Sequence, residues 1–229
     1  MTAPPPPPSY RELLEQERLE PPPKRARNLG QCELILGPMY AGKTTLLMQR
    51  VQRMLLGGER CVVVKHSKDT RYERGPSLRT HAGLSLAASE GGLEVVEATA
   101  LRGLDLGSQG FVAVDEGQFF EDLPAAVDGW MREGRGVVVA ALDGDFRRRP
   151  FGRIGEVIPL AAHVSKLTAI CMLCPRAEGA FPADAPYTLR TDESEDVELI
   201  GAKDKYQAAC LGCYLAVMEN RGRKPIVCD

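Results

Sequence analysis

The sequence has no excess of charge of either sign: 29 lysines and arginines stand against 31 acidic residues, a formal net charge of -2. Nothing in that balance draws the chain to a nucleic-acid backbone or a membrane surface, and neither partner is expected. No apolar run approaches the length of a membrane span. The N-terminus has five consecutive prolines, Pro4 to Pro8, and then charges, where a secretory signal needs an apolar core. Export is therefore not expected, and a cytoplasmic location is. Histidine is scarce; His66, His81 and His163 have no metal-ligand spacing and read as surface or packed residues. Disulfides are not expected, because seven cysteines, an odd count, in an unexported chain read as reduced thiols or metal ligands. What is plentiful is apolar: 44% hydrophobic residues over 229 positions suffice for one good core or two small ones.

The chain is organised around Gly37-Pro38-Met39-Tyr40-Ala41-Gly42-Lys43-Thr44, which fits the P-loop pattern at Gly37, Gly42, Lys43 and Thr44. Cys32 to Leu36 before it suits a short buried strand, and Thr45 to Val51 after it begins a helix with apolar residues at helical spacing. Glycines let the backbone wrap a polyphosphate, and the helix N-terminus behind them presents unpaired N–H groups. Lys43 would reach the β and γ phosphates, and Thr44 would ligate Mg²⁺.

Met1 to Asn28 combines two proline runs with charges and reads as a disordered tail, in which Tyr10 to Leu19 is long enough only for a marginal helix. Lys24-Arg25-Ala26-Arg27 reads most simply as solvated linker, with a localisation signal or acidic-partner contact as the alternative. Past the P-loop helix, Gly57-Gly58 makes a stop and Cys61 to Val64 a buried strand. Lys68 to His81 is arginine-rich and aperiodic, either a loop over a phosphate site or a solvated surface loop. Phe111 to Glu116 is a buried strand ending in two carboxylates; Asp115 would give the second magnesium contact, and Glu116 would take a proton from whatever attacks the γ phosphate, its alternative role being a helix-start acid. Asp122-Leu123-Pro124 opens a helix closed by Gly134, Val137 to Leu142 is a strand followed by Asp143-Gly144-Asp145, and Val164 to Ile170 reads as another strand. Arg147-Arg148-Arg149 reads as a solvated face. Strand and helix alternate at a spacing that predicts an α/β fold, a mostly parallel sheet with helices on both faces, with ligands at the strands' C-terminal ends.

Cys171-x-x-Cys174 and Cys210-x-x-Cys213 are two paired-thiolate knuckles, the arrangement that gives tetrahedral Zn²⁺ four sulfurs; free core thiols are the alternative. The stretch between them is long, so it must leave the metal knot as an excursion. Its segment Asp192 to Asp196 is acidic and would repel a phosphate backbone.

The ordered motifs Gly37 to Thr44, Lys68-Asp69-Thr70-Arg71-Tyr72, Asp115-Glu116-Gly117-Gln118-Phe119-Phe120, Ala141-Leu142-Asp143-Gly144-Asp145-Phe146, Pro150-Phe151-Gly152, the cysteine pairs and Val197-Glu198-Leu199-Ile200-Gly201 resemble the cellular-type (type II) thymidine kinases over about Glu33 to Tyr214. The resemblance implies a P-loop NTPase (RecA-like) domain over 31–168 and a zinc-binding lasso domain over 169–216, between tails at 1–30 and 217–229. It implies transfer of the ATP γ phosphate to the 5′-hydroxyl of thymidine or deoxyuridine with Mg²⁺, a homotetramer and feedback inhibition by dTTP. Catalytic roles fall to Glu116 as base, Lys43 and Arg71. Nucleotide contacts fall to Gly37 through Thr44, Asp69, Thr70, Arg71, Asp115, Glu116, Gly117 and Gln118, with Thr44 and Asp115 on magnesium. The thymine pocket would comprise Met39, Phe119, Leu142, Phe146, Phe151, Thr188 and Tyr206, with Val197, Glu198, Leu199, Ile200 and Gly201 as the lasso that wraps the base; Arg71 to Thr80 would be a mobile lid. Tyr40 stands where the family often has phenylalanine and Thr44 where serine is common, and Pro175 to Pro186 is longer than in relatives. Two rivals remain: a P-loop ATPase acting on water through Asp115 and Glu116, and a non-catalytic nucleotide-sensing or nucleic-acid-binding zinc module.

Overall fold

The structure, a computed structural model, describes residues 30–67, 77–79, 85–87, 91–174, 181–191 and 205–220. The proline-rich tail, the basic tetrad, His81, most of the arginine-rich loop and the C-terminal nine residues lie outside the described residues.

Six parallel strands form the central sheet: β1 (Cys32–Leu36), β2 (Cys61–His66), β5 (Leu93–Ala98), β6 (Phe111–Val114), β7 (Gly136–Ala141) and β8 (His163–Lys166), in the order β5-β2-β6-β7-β1-β8. The runs Val62-Val63-Val64 and Val137-Val138-Val139 are apolar at every position because both faces are covered, as parallel sheets require. Alternation then sorts the side chains. Leu34, Leu36, Val62, Val64, Val112, Val114, Val137 and Val139 point to one face, against Leu123, Ala126, Val127 and Trp130 of helix α2 (Leu123–Arg132) and Ile154 and Val157 of the short α3 (Ile154–Val157). Ile35, Cys61, Val63, Ala113, Val138 and Ala140 point to the other, against Leu47, Met48 and Val51 of α1 (Lys43–Leu56). The buried residues of α2 recur at i, i+3, i+4 and i+7, which is why this stretch is a helix with one apolar stripe. Each large one fixes its helix by about 1.5–3 kcal/mol of burial.

Three departures from the sequence reading have local causes. The edge strand β5, Leu93-Glu94-Val95-Val96-Glu97-Ala98, was not anticipated; its two glutamates leave it half exposed, as befits an edge. The arginine-rich stretch holds a three-rung antiparallel pair, β3 (Ser77–Arg79) with β4 (Ser85–Ala87), where only loop was expected. The strand expected over Val164 to Ile170 is broken at Leu167-Thr168. β8 joins the sheet, Leu167 donates its N–H to Leu36 O at 2.8 Å, and β9 (Ala169–Ile170) then leaves to pair with β10 (Asp184–Ala185).

A small C-terminal unit follows: the β9–β10 pair, the antiparallel pair β11 (Tyr187–Arg190) and β12 (Tyr206–Ala209), and helix α4 (Leu211–Asn220). Its own core is small, Ala169, Cys171, Ala185 and Ala208 on one side and Leu189, Ala209 and Tyr214 on the other. A core of that size needs a staple. Among the described residues no helix is long and apolar enough to cross a membrane.

Candidate active site

The loop after β1 curls back on itself through three positive-φ residues, Gly37 (148°), Tyr40 (65°) and Gly42 (82°). Gly37 has no room for a side chain, since a Cβ there would sit 2.6 Å from Leu167 O, so the loop is pressed against the chain leaving β8. Tyr40 holds its left-handed backbone at a cost of about 1–2 kcal/mol. The Lys43 ammonium is buried and donates to Pro38 O at 2.8 Å, lying across the loop it closes. Behind it the first N–H groups of α1 point into the loop, the geometry that binds phosphate.

From the end of β6, two strands away, Asp115 meets this loop: Thr44 Oγ1 donates toward Asp115 Oδ1 at 3.1 Å and Oδ2 at 3.2 Å. Their hard oxygens at one point suit Mg²⁺. Asp115 is held on the strand by its N–H to Val64 O, 3.0 Å, but Glu116 breaks away with φ 53° and ψ 45°. A 3₁₀ turn, Gly117–Phe119, follows, and it fits because Gly117 lies on β7, where a Cβ would be 2.6 Å from Val139. Glu116 is buried, and its Oε2 accepts from Gln118 Nε2 at 2.5 Å; Gln118 Oε1 accepts from Leu142 N at 2.9 Å.

Beside this turn lies an aromatic group. Phe119 packs edge-on to Phe151, with centroids 5.7 Å apart, and touches His66, which also packs on Phe120. His66 is a packed histidine, as the sequence suggested, and His163 is exposed. Phe146 sits at the centre of a second cluster, with Arg190 and Arg147 over its ring at 5.0 and 5.1 Å. Its loop is built by Asp145, whose Oδ1 accepts from the N–H groups of Arg147 and Arg149, both at 2.8 Å. Lys166 and Asp143 form an ion pair beside it. Of the arginine triplet, Arg148 and Arg149 are exposed; Arg148, with φ 60°, lies over the rings of Tyr214 and Tyr187 at 4.8 and 5.4 Å, so this residue is more than a solvated charge.

The small unit reaches both parts of the site from one strand. Thr188 Oγ1 accepts the N–H of Met39 in the phosphate loop at 3.0 Å, and Arg190, fully buried, lies between Phe146 and Tyr206. Tyr214 O–H donates to Phe146 O at 2.8 Å. Thus Gly37 to Thr44, Asp115, Glu116, Gly117, Gln118, Phe119, Leu142, Phe146, Phe151, Thr188 and Tyr206 lie around one end of the sheet. Asp69, Thr70, Arg71 and Val197 to Gly201 lie outside the described residues. Sequence reasoning passed over Asp145, Arg190 and Tyr214; the alternation of Asp145 with loop N–H groups two and four residues on is an Asx pattern that could have flagged the first.

Cys171, Cys174, Cys210 and Cys213 bring their four Sγ atoms within 4.8 Å of one another. Cys174 Sγ is 3.6 Å from Cys210 Sγ and from Cys213 Sγ. A tetrahedral zinc with bonds of about 2.3 Å has sulfurs about 3.8 Å apart, so the cluster fits Zn²⁺. Burial raises the Cys171 thiol, but the N–H groups of Cys210, Leu173 and Cys174 outweigh it and bring the value down to about 6. Hydrogen bonding to Cys174, then to Cys210, pushes Cys213 up to about 12. Crowded sulfurs that cannot all ionise together are what a dication relieves.

The family model described as thymidine kinase matches residues 30–214. A cytosolic thymidine kinase of Homo sapiens is 40% identical over 195 residues, 84% of this chain and 76% of that protein. The thymidine kinase of vaccinia virus (strain Western Reserve) is 39% identical over 190 residues, 82% of this chain and 98% of the viral one. That of myxoma virus (strain Lausanne) is 39% identical over 186 residues, 81% and 96% of the two chains.

Proposed function

The chain belongs to the thymidine kinase family, and from that premise we propose that it transfers the γ-phosphoryl group of ATP to the 5′-hydroxyl of thymidine, and of deoxyuridine, in deoxynucleotide salvage. The observation that carries this reading is the meeting of Thr44 and Asp115 at the phosphate loop, with the buried Glu116 next in the chain and Phe119 ending the turn that follows. The loop N–H groups and Lys43 bind the β and γ phosphates. Glu116 accepts the proton of the 5′-hydroxyl as its oxygen attacks the γ phosphorus, and the bond to the β–γ bridging oxygen breaks to release ADP. Thr44 and Asp115 would hold Mg²⁺, which when bound neutralises charge on the β and γ oxygens. Asp69, Thr70 and Arg71 are assigned to the phosphate side from their motif. Holding two reactants in line accounts for most of the catalysis such a site needs.

The nucleoside base is assigned to the pocket of Met39, Phe119, Leu142, Phe146, Phe151, Thr188 and Tyr206, closed by Val197 to Gly201. Arg147, the less buried guanidinium over Phe146, has to leave that ring for a base to stack there. Zn²⁺ on the four cysteines would tie the roots of the small unit together. The same reading divides the chain into the kinase domain, 31–168, and the zinc-binding domain, 169–216, and includes a cytoplasmic homotetramer inhibited by dTTP.

The test is ATP consumption with thymidine, deoxycytidine, deoxyguanosine or no nucleoside side by side, with product identified. Consumption stimulated by thymidine, yielding dTMP, is the expected result. Hydrolysis independent of nucleoside would replace the kinase with an ATPase, and binding without turnover would leave only a sensing module.

A further inference from the structure

We propose that Gln118 is a positioning residue for the transfer step, fixing the Glu116 carboxylate in the orientation that receives the acceptor's proton. This rests on the reading of Glu116 as the base. Glu116 leaves β6 in a left-handed conformation and carries a side chain with three rotatable bonds, so its backbone alone does not aim the carboxylate. Gln118, 2% exposed, bridges that carboxylate to Leu142 N. The bridge has a fixed sense. The Leu142 N–H can only donate, so the amide oxygen must face it, and the amide nitrogen is thereby turned to Glu116. A donor on the carboxylate favours its charged, proton-accepting form.

The frame around the amide has little slack. Gly152, with φ 57°, lies so close that a Cβ on it would be 2.2 Å from Gln118 O, and Gly117 is pressed on Val139. Close packing on both sides thus fixes the main chain from which the Gln118 side chain springs, and the Leu142 N–H fixes its amide end. Displacing a reacting group by about 1 Å costs on the order of a hundredfold in rate.

Gln118→Met keeps the length and bulk of the side chain but removes the donor to Glu116 together with the acceptor for Leu142. Steady-state kinetics of radiolabelled dTMP formation are measured for this variant alone and in a Glu116→Gln background, with melting temperatures. We expect kcat to fall roughly 10- to 100-fold with both KM values nearly unchanged, and no further fall when the substitution is added to Glu116→Gln. Gln118→Asn, which keeps the amide but withdraws it by one methylene, should lose kcat in the same way and decides the matter if the methionine variant does not fold. Wild-type kcat in a folded variant would overturn the proposal. So would a loss that appears only in KM, or an equal additional loss in the Glu116→Gln background. Full turnover in Glu116→Gln alone would instead remove the base itself.

Discussion

Replacing Tyr214 by phenylalanine removes one hydroxyl and leaves a ring that still packs on Tyr187 and under Arg148. Tyr214 and Phe146 are 3% and 6% exposed, so the lost bond of 2.8 Å strands the Phe146 carbonyl away from water. An unpaired buried acceptor costs about 1–3 kcal/mol, and at about 2–4 °C per kcal/mol for a chain of this size the melting temperature should fall about 4–8 °C for the middle of that range. Phe146 is also assigned to the thymine pocket. If the same 2 kcal/mol were transmitted whole to nucleoside binding, the thymidine KM would rise by about 30-fold, which is the ceiling. ATP KM and kcat should stay within about twofold, because Lys43, Thr44 and Glu116 are untouched by the change. Initial rates with each substrate varied in turn, with scanning fluorimetry and zinc content on the same samples, give the result. A lowered melting temperature with an unchanged thymidine KM would refute the link between this bond and the pocket, and an equal rise in ATP KM would refute its confinement to one substrate.

Two further outcomes follow from the cysteines. Burial, with Glu33 adding to it, pushes the Cys32 thiol up to about 12, and burial with Glu59 pushes Cys61 to about 11. Above about pH 9 the unfolded chain loses these protons while the folded one keeps them, so the stability they contribute is whole below pH 9 and falls by up to about 1.4 kcal/mol per pH unit per thiol towards the folded values. Urea midpoints from pH 8 to 10.5 should fall, and Cys32→Ala should flatten the slope; a slope unchanged by the substitution would count against the burial argument. Purified protein should carry close to one zinc per chain, and removing it with a chelator should lower the melting temperature and raise the thymidine KM before it affects ATP binding. A metal content below about half an equivalent would undermine the four-cysteine site.

The parts of the site legible in the sequence are those whose partners are a few residues away. Gly37, Gly42, Lys43 and Thr44 lie in one turn, Asp115 and Glu116 end an apolar run, and each cysteine pair is a local knuckle. The face-to-face packing was legible for the same reason, since unbroken runs such as Val137 to Ala141 imply cover on both sides. The inward turn of Gln118 was not legible, because it depends on Leu142 and Gly152, 24 and 34 positions on. Tyr214 and Arg190 carry no local signal, because what they touch, Phe146, lies 68 and 44 positions earlier in the chain. The break at Leu167-Thr168 was not legible, because Val164-Ser165-Lys166-Leu167-Thr168-Ala169-Ile170 has no glycine or proline to mark it; in the fold, Gly37 lies against the Leu167 carbonyl.

Thr188 and Arg190 stand two positions apart on β11 and so share one side of it, the first on the phosphate loop and the second on Phe146. A slip of one rung against β12 would exchange that side for the one carrying Leu189, detaching donor and acceptor halves together. The four-rung ladder is thus a gauge block: a single deletion between Tyr187 and Arg190 would throw both contacts out of register at once.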